Sequence, residues 1–155
     1  MIKLMTDPTA VDTYAKFAVL TRAFDKDGYE YVYLKGVVDT VQYSPVVYDE
    51  AGATVLADSQ GTAPANAGPV AIAQGAVVAD RWGWYMVNGK TYIISAANAT
   101  DNAQVYLTTT AGTVDSTDVI KALVIGAWFR GAYSATGTKA LVQIAYPVVH
   151  NAAID

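Results

Sequence analysis

The chain has 155 residues, of which 53% are hydrophobic and only 15% charged, with a formal net charge of −4. That length allows one domain, or one domain with an appended arm, and an acidic balance without any basic run of four or more argues against a nucleic-acid partner. The absence of cysteine excludes disulfides, thiolate catalysis and thiolate metal sites together.

An average soluble domain is about a quarter charged. So apolar a composition points to exterior that a partner covers, the other reading being a compact, alanine-rich monomer. The longest apolar runs, such as residues 122–129, fall short of the ~20 residues that span a bilayer, so no membrane partner is expected. Asp7 and Pro8 interrupt the start before a signal-peptide apolar region develops, which predicts no secretory signal.

Residues 1–16 read as an N-terminal arm, distinct from a single β-rich domain over 17–155. Asp7-Pro8 suits the start of a short helix with Val11, Tyr14, Ala15 and Ala18 at helical spacing. Thr9, Val11, Thr13 and Tyr14 are weak helix formers, so an extended arm, ordered by contact with something else, is the alternative.

Residues 17–24 and 29–35 predict a strand pair around Asp25-Lys26-Asp27-Gly28. Alternation places Tyr29, Tyr31, Tyr33 and Lys35 on one face and Glu30, Val32 and Leu34 on the other. The tyrosine face suits a half-wet or partner-facing surface; packing of the rings across the pair is the competing reading. Residues 46–48 and 53–56 flank a turn at Asp49-Glu50-Ala51-Gly52. Residues 58–69, rich in Ser, Gly, Thr, Ala, Asn and Pro, read as an exposed loop, and residues 70–73 restart the sheet.

Residues 82–94 then present Asn88-Gly89 between two apolar runs, the strongest short-range cue for a type I′ hairpin turn. Trp82, Trp84 and Met86 fall on one side and Tyr85 and Val87 on the other, so both sides are expected to be covered. Further pairs are predicted for 105–107 with 113–114, and for 120–130 with 139–146, Pro147 ending the last strand. About nine or ten short strands without βαβ alternation predict an all-β fold, an antiparallel β-sandwich or small barrel of hairpin-linked strands.

Residues suited to catalysis are scarce. His150 is the single histidine and lies in the tail, without the orienting carboxylate that a triad needs or the companions that zinc needs. The carboxylates Asp25, Asp27, Asp49, Glu50, Asp58, Asp115 and Asp118 fall in turns, where Asp caps its own backbone. Asp25-Lys26-Asp27-Gly28 opens like a calcium loop but lacks the later ligands and closing Glu. Phosphate-binding glycine loops are absent, and Asn98-Ala99-Thr100 matches a glycosylation triplet that carries weight only in a secreted chain. No cofactor or metal is expected. Trp82 and Trp84, with Tyr85 and Tyr92, would suit a carbohydrate-stacking platform; burial in a core or interface is favoured, because Gly83 between the indoles suits close packing.

Several segments carry a family likeness. Gly28-Tyr29-Glu30-Tyr31-Val32-Tyr33-Leu34-Lys35, Pro45-Val46-Val47-Tyr48-Asp49 and Gly68-Pro69-Val70-Ala71-Ile72-Ala73-Gln74 are three of them. Trp82-Gly83-Trp84-Tyr85-Met86-Val87-Asn88-Gly89 and Ala103-Gln104-Val105-Tyr106-Leu107-Thr108-Thr109-Thr110-Ala111-Gly112 are the others. Together they resemble the capsid decoration (cement) proteins of tailed bacteriophages and related accessory head proteins. The resemblance runs in order over residues 29–146 and consists of strand and turn cues, with no catalytic signature.

The resemblance implies a non-enzymatic virion structural protein on the capsid surface, assembled in a bacterial host cytoplasm. It would bridge subunits of the major capsid protein, with self-association as a homotrimer, and its many weak contacts would gain avidity across the lattice. The contact residues expected on this basis are Leu4, Met5, Val11 and Tyr14 of the arm and Tyr29, Tyr31 and Tyr33 of the tyrosine face. The alternative is a carbohydrate- or receptor-binding β-module, tail- or fibre-associated, with Trp82 or Trp84 stacking on the ligand.

Overall fold

Turn chemistry written into the sequence sets most of the strand boundaries. The computed structural model describes residues 2–3, 7–60, 67–120 and 122–150. Its strands are β1 (Ile2–Lys3), β2 (Val11–Asp12), β3 (Arg22–Phe24), β4 (Glu30–Lys35), β5 (Pro45–Tyr48) and β6 (Thr54–Leu56). They continue as β7 (Gly68–Ala73), β8 (Trp82–Ile94), β9 (Gln104–Leu107), β10 (Val114–Asp115), β11 (Leu123–Phe129) and β12 (Lys139–Val149). No helix occurs among the described residues, so residues 7–16 take the extended alternative, and Val11–Asp12 pairs with Gly83 and Trp82 of β8. Leu4 and Met5 lie outside the described residues.

The fold is all-β: one mixed sheet of 12 strands that does not close, curled into a sandwich-like form. Its order is β1-β3-β4-β8-β7-β12-β11-β9-β10, with β2 beside β8, β5 between β6 and β7, and a second pairing of β8 with β12. Among the described strands only β1 with β3 is parallel. The expected turn at 25–28 forms between β3 and β4, where Asp25 Oδ1 accepts the N–H groups of Asp27 and Tyr29 at 2.9 and 3.1 Å and Gly28 takes φ +79°. Asp49 does the same between β5 and β6, accepting from Ala51 and Ala53, each at 2.9 Å.

The Asn88-Gly89 hairpin does not form. β8 runs unbroken through both residues for 13 positions. Its first half pairs with β4 on one edge and with β7 and β2 on the other; its second half pairs residue for residue with β12, Asn88 to Ala145 through Ile94 to Lys139. The Asn-Gly pair instead marks a bulge, where Glu30 opposes Asn88 while Tyr31 opposes Met86. Gly89 sits at φ +137°, and a Cβ there would lie 2.6 Å from the Tyr29 ring. Glycine is needed for that close approach rather than for a turn.

A second bend lets β12 change partners. Pro147 does not end the strand, which continues to Val149. Ala145, Tyr146 and Pro147 lie opposite the single residue Gly126, which takes φ +85°, and Tyr146 takes φ +48°. Before this bulge β12 pairs with β8; after it, Val148 and Val149 pair with Pro69 and Gly68 of β7. A proline at a bulge removes no ladder hydrogen bond, which is why it is tolerated here.

The curled sheet encloses one large core, which includes Tyr31, Tyr33, Ile72, Trp84, Met86, Phe129, Val142 and Ile144. A second core lies on the outer side of β4, β7 and the first half of β8, holding Val32, Leu34, Val46, Ala73, Tyr85 and Val87. Central strands are therefore covered on both sides, as is β9 beyond Gln104, while β11, β12 and the second half of β8 are covered on one.

Replacing Gly126 by Ala forces a side chain into a left-handed backbone with its Cβ 2.7 Å from the Ala145 carbonyl oxygen. The expected cost is about 1–3 kcal/mol, read as a lowered urea midpoint at unchanged m-value.

Candidate interaction surfaces

The N-terminal segment is fastened to the core through a buried charge. Asp12 on β2 is only 6% exposed. Its carboxylate accepts the Tyr33 hydroxyl at 2.7 Å and pairs with the Lys16 ammonium at 2.5 Å, while the Lys16 N–H donates to the Tyr33 oxygen at 3.2 Å. A carboxylate taken out of water needs such partners. Phe17, Tyr33 and Trp84 stack beside it with ring centroids 5.0 to 5.3 Å apart, each pair adding about 0.5–1.5 kcal/mol beyond area burial.

Of the predicted contact residues, Tyr31 and Tyr33 are core side chains, 3% and 0% exposed. The tyrosine side of β4 faces inward, so these two offer no outer surface. Tyr29 is half-buried against Gly89. Tyr31 donates to Asp25 Oδ2 at 2.8 Å. Burial, reinforced by hydrogen bonds to Asp25 and Asp12 respectively, raises the pKa of Tyr31 and Tyr33. Trp84 is buried, and Trp82 is half-buried with the Lys35 ammonium 5.8 Å above its ring. Neither is the open stacking platform that the sequence alternative required.

Val11 and Tyr14 are exposed, Tyr14 by 65%. Val11 lies where residues 9–11 pack against Gly75 and Gly83, and residues 75–83 in turn pack against Gly36. A Cβ on Gly75 would touch the Val11 side chain at 2.9 Å, and one on Gly36 would overlap the Val77 and Val78 carbonyls. Gly36 N–H donates to the Arg81 carbonyl at 2.8 Å. Val11 on β2, Val78, and Val38 two residues beyond Gly36 are all exposed beside these close backbone contacts.

A different surface was missed by the sequence reading: the outer face of β9, β11, β12 and the second half of β8. One row crosses all four strands as Lys90, Gln143, Trp128 and Gln104, every one exposed. Flanking rows carry Tyr92 opposite Leu141, and Ile125 opposite Val148. Trp128 is 40% exposed. The run from Leu123 to Phe129 is apolar throughout, so alternation alone gives no direction. The kink at Gly126 then resets the period, leaving Ile125 and Trp128 outward and Val124, Ala127 and Phe129 inward. Lys139 lies over Tyr92 and Tyr43, 4.5 and 5.2 Å from the ring centroids. All fourteen carboxylates of the chain lie outside these four strand segments.

His150 is exposed at the end of β12, and no cluster of metal-ligating side chains occurs among the described residues. Comparison with family models, curated proteins and solved structures gives no match.

Changing Tyr33 to Phe strips the buried Asp12 of a donor, an expected loss of about 1–3 kcal/mol in urea denaturation. A raised tyrosine pKa means that the stability tied to the neutral ring is fully present below the unfolded value of about 10. It drains away as pH rises from there toward the folded value. The wild-type urea midpoint, followed from pH 8 to 11.5, is therefore expected to hold until about pH 10 and then fall.

Proposed function

We propose that this chain is a non-enzymatic virion structural protein that binds the outer surface of a phage capsid and bridges major capsid subunits. Val11, Tyr14, Val38 and Val78 mark its docking surface. The observation that carries this reading is that these exposed apolar side chains stand close to fixed points. Val11 and Tyr14 lie within two residues of the buried Asp12 anchor, and Val38 and Val78 lie within two residues of the close contact between Gly36 and the Val77 and Val78 carbonyls. Preorganised segments lose little conformational freedom on docking, so modest apolar contacts yield net affinity. Repetition across a lattice multiplies that affinity without any deep pocket. The family likeness in strand and turn order supports the same reading, and self-association as a homotrimer belongs to it, since a trimer suits three-fold lattice positions.

Co-sedimentation with shells of the phage that encodes the chain tests the proposal. Wild-type protein is expected to pellet with the shells. The double variant Tyr14→Ala, Val38→Asp is expected to lose at least about tenfold in affinity, with its thermal midpoint unchanged. Undiminished binding of that variant would remove these side chains from the mechanism, and wild-type protein left in the supernatant would overturn the reading.

A further inference from the structure

We infer that the outer face centred on Trp128 is a binding site for an acidic polysaccharide, whose sugar rings stack on the exposed indole and whose carboxylates meet Lys90 and Arg130. The inference goes beyond capsid docking and uses a separate surface.

The polar groups around Trp128 are held in place. Gln104 and Gln143 flank it in the same row, on the strands either side. The Tyr106 hydroxyl donates to Gln104 Oε1 at 3.1 Å. Arg130 Nε donates to Gln143 Oε1 at 3.2 Å, and a terminal nitrogen of Arg130 donates to Asn102 Oδ1 at 3.0 Å. Both amide oxygens are thus engaged, and what the row offers a ligand is donors: two amide NH2 groups, the remaining guanidinium N–H groups and the Lys90 ammonium. A donor-rich, acceptor-poor row matches a ligand rich in hydroxyl and carboxylate oxygens.

Shape and charge point the same way. The row crosses three gaps between strands, about 14 Å at ~4.8 Å per gap, on an open face rather than in a cleft. That suits a chain of rings laid across the strands better than a small molecule, which needs enclosure. An aromatic face attracts the C–H face of a sugar as it does other weakly positive surfaces. The chain as a whole carries −4, yet these strand segments contain Lys90 and Lys139 and no carboxylate, with Arg130 adjoining. Asp118 meets the Tyr106 hydroxyl at the Gln104 end of the row, so an anionic ligand is met by the cations at the other end, Lys90 and Arg130, and its binding should weaken with salt.

Retention in native gels containing polygalacturonate, dextran or poly-glutamate tests the inference on the isolated full-length protein, with no capsid present, so its outcome is independent of the capsid reading. Polygalacturonate is expected to retard the wild type. Trp128→Ala should weaken that retention at least about tenfold, Trp128→Phe should restore most of it, and Lys90→Gln with Arg130→Gln should abolish its salt dependence. Dextran should retard weakly, having no carboxylates, and poly-glutamate weakly, having no rings to stack. Equal retardation by poly-glutamate would make the face a dock for acidic proteins and overturn the inference. So would no retardation of wild type, or retention unchanged by Trp128→Ala while Trp128→Phe and Trp128→Ala both keep the wild-type thermal midpoint.

Discussion

β8 must serve two sets of neighbours, and the rest of the architecture depends on how it does so. Its first half is locked between β4 and β7 with β2, and four consecutive residues, Trp84 to Val87, are buried on alternate sides. At Asn88-Gly89 the strand bulges and passes to β12, and burial changes from continuous to alternating. The change of partner is also a change of environment. One side of the second half faces the core and the other faces out, so the open Trp128 face follows from the absence of a second covering layer there. The reciprocal bend at Gly126 and Ala145–Pro147 lets β12 leave β8 and join β7, which curls the sheet around the large core without closing it.

Charge is distributed to match. Carboxylates in turns spend their oxygens on backbone N–H groups, as Asp25, Asp49 and Asp115 do, so they act as local staples rather than as reactive groups. Asp12 is the exception: buried, and satisfied by a tyrosine and a lysine, it ties the first strands to the core beneath Trp84. The two proposed surfaces differ in the same terms. The first is apolar and stands beside close backbone contacts; the sheet face is aromatic and donor-rich, its strands carry no carboxylate of their own, and Asp118 reaches it only at Tyr106.

Much of the fold was legible because turns are local. The turns at 25–28 and 49–52 each open on an Asp that caps the backbone and close on a Gly, and the short apolar runs that flank them leave little choice but strands. Asn88-Gly89 carried a turn signal too and failed, because seven register pairs with β12 and the pressure of Tyr29 on Gly89 outweigh a local turn preference. Such partners are far away in sequence and invisible to a window. Trp84 is buried, as the favoured reading of the Trp pair had it, whereas Tyr31 and Tyr33, expected as contacts, are buried for a related reason. Alternation sorts residues into two sides but does not say which side is covered, and here both are. Trp128 escaped notice because an all-apolar strand has no alternation, and its outward direction is set by the kink at Gly126.

The most direct test is the nuclear Overhauser pattern along residues 82–94 in the labelled protein. A continuous β8 predicts backbone contacts from Lys90 to Gln143 and from Tyr92 to Leu141, with Met86 near Tyr31 and Ile72. Contacts from Val87 to Lys90 and from Met86 to Thr91, with none to residues 139–145, would mean that the chain turns back on itself at Asn88-Gly89, and the account would be wrong.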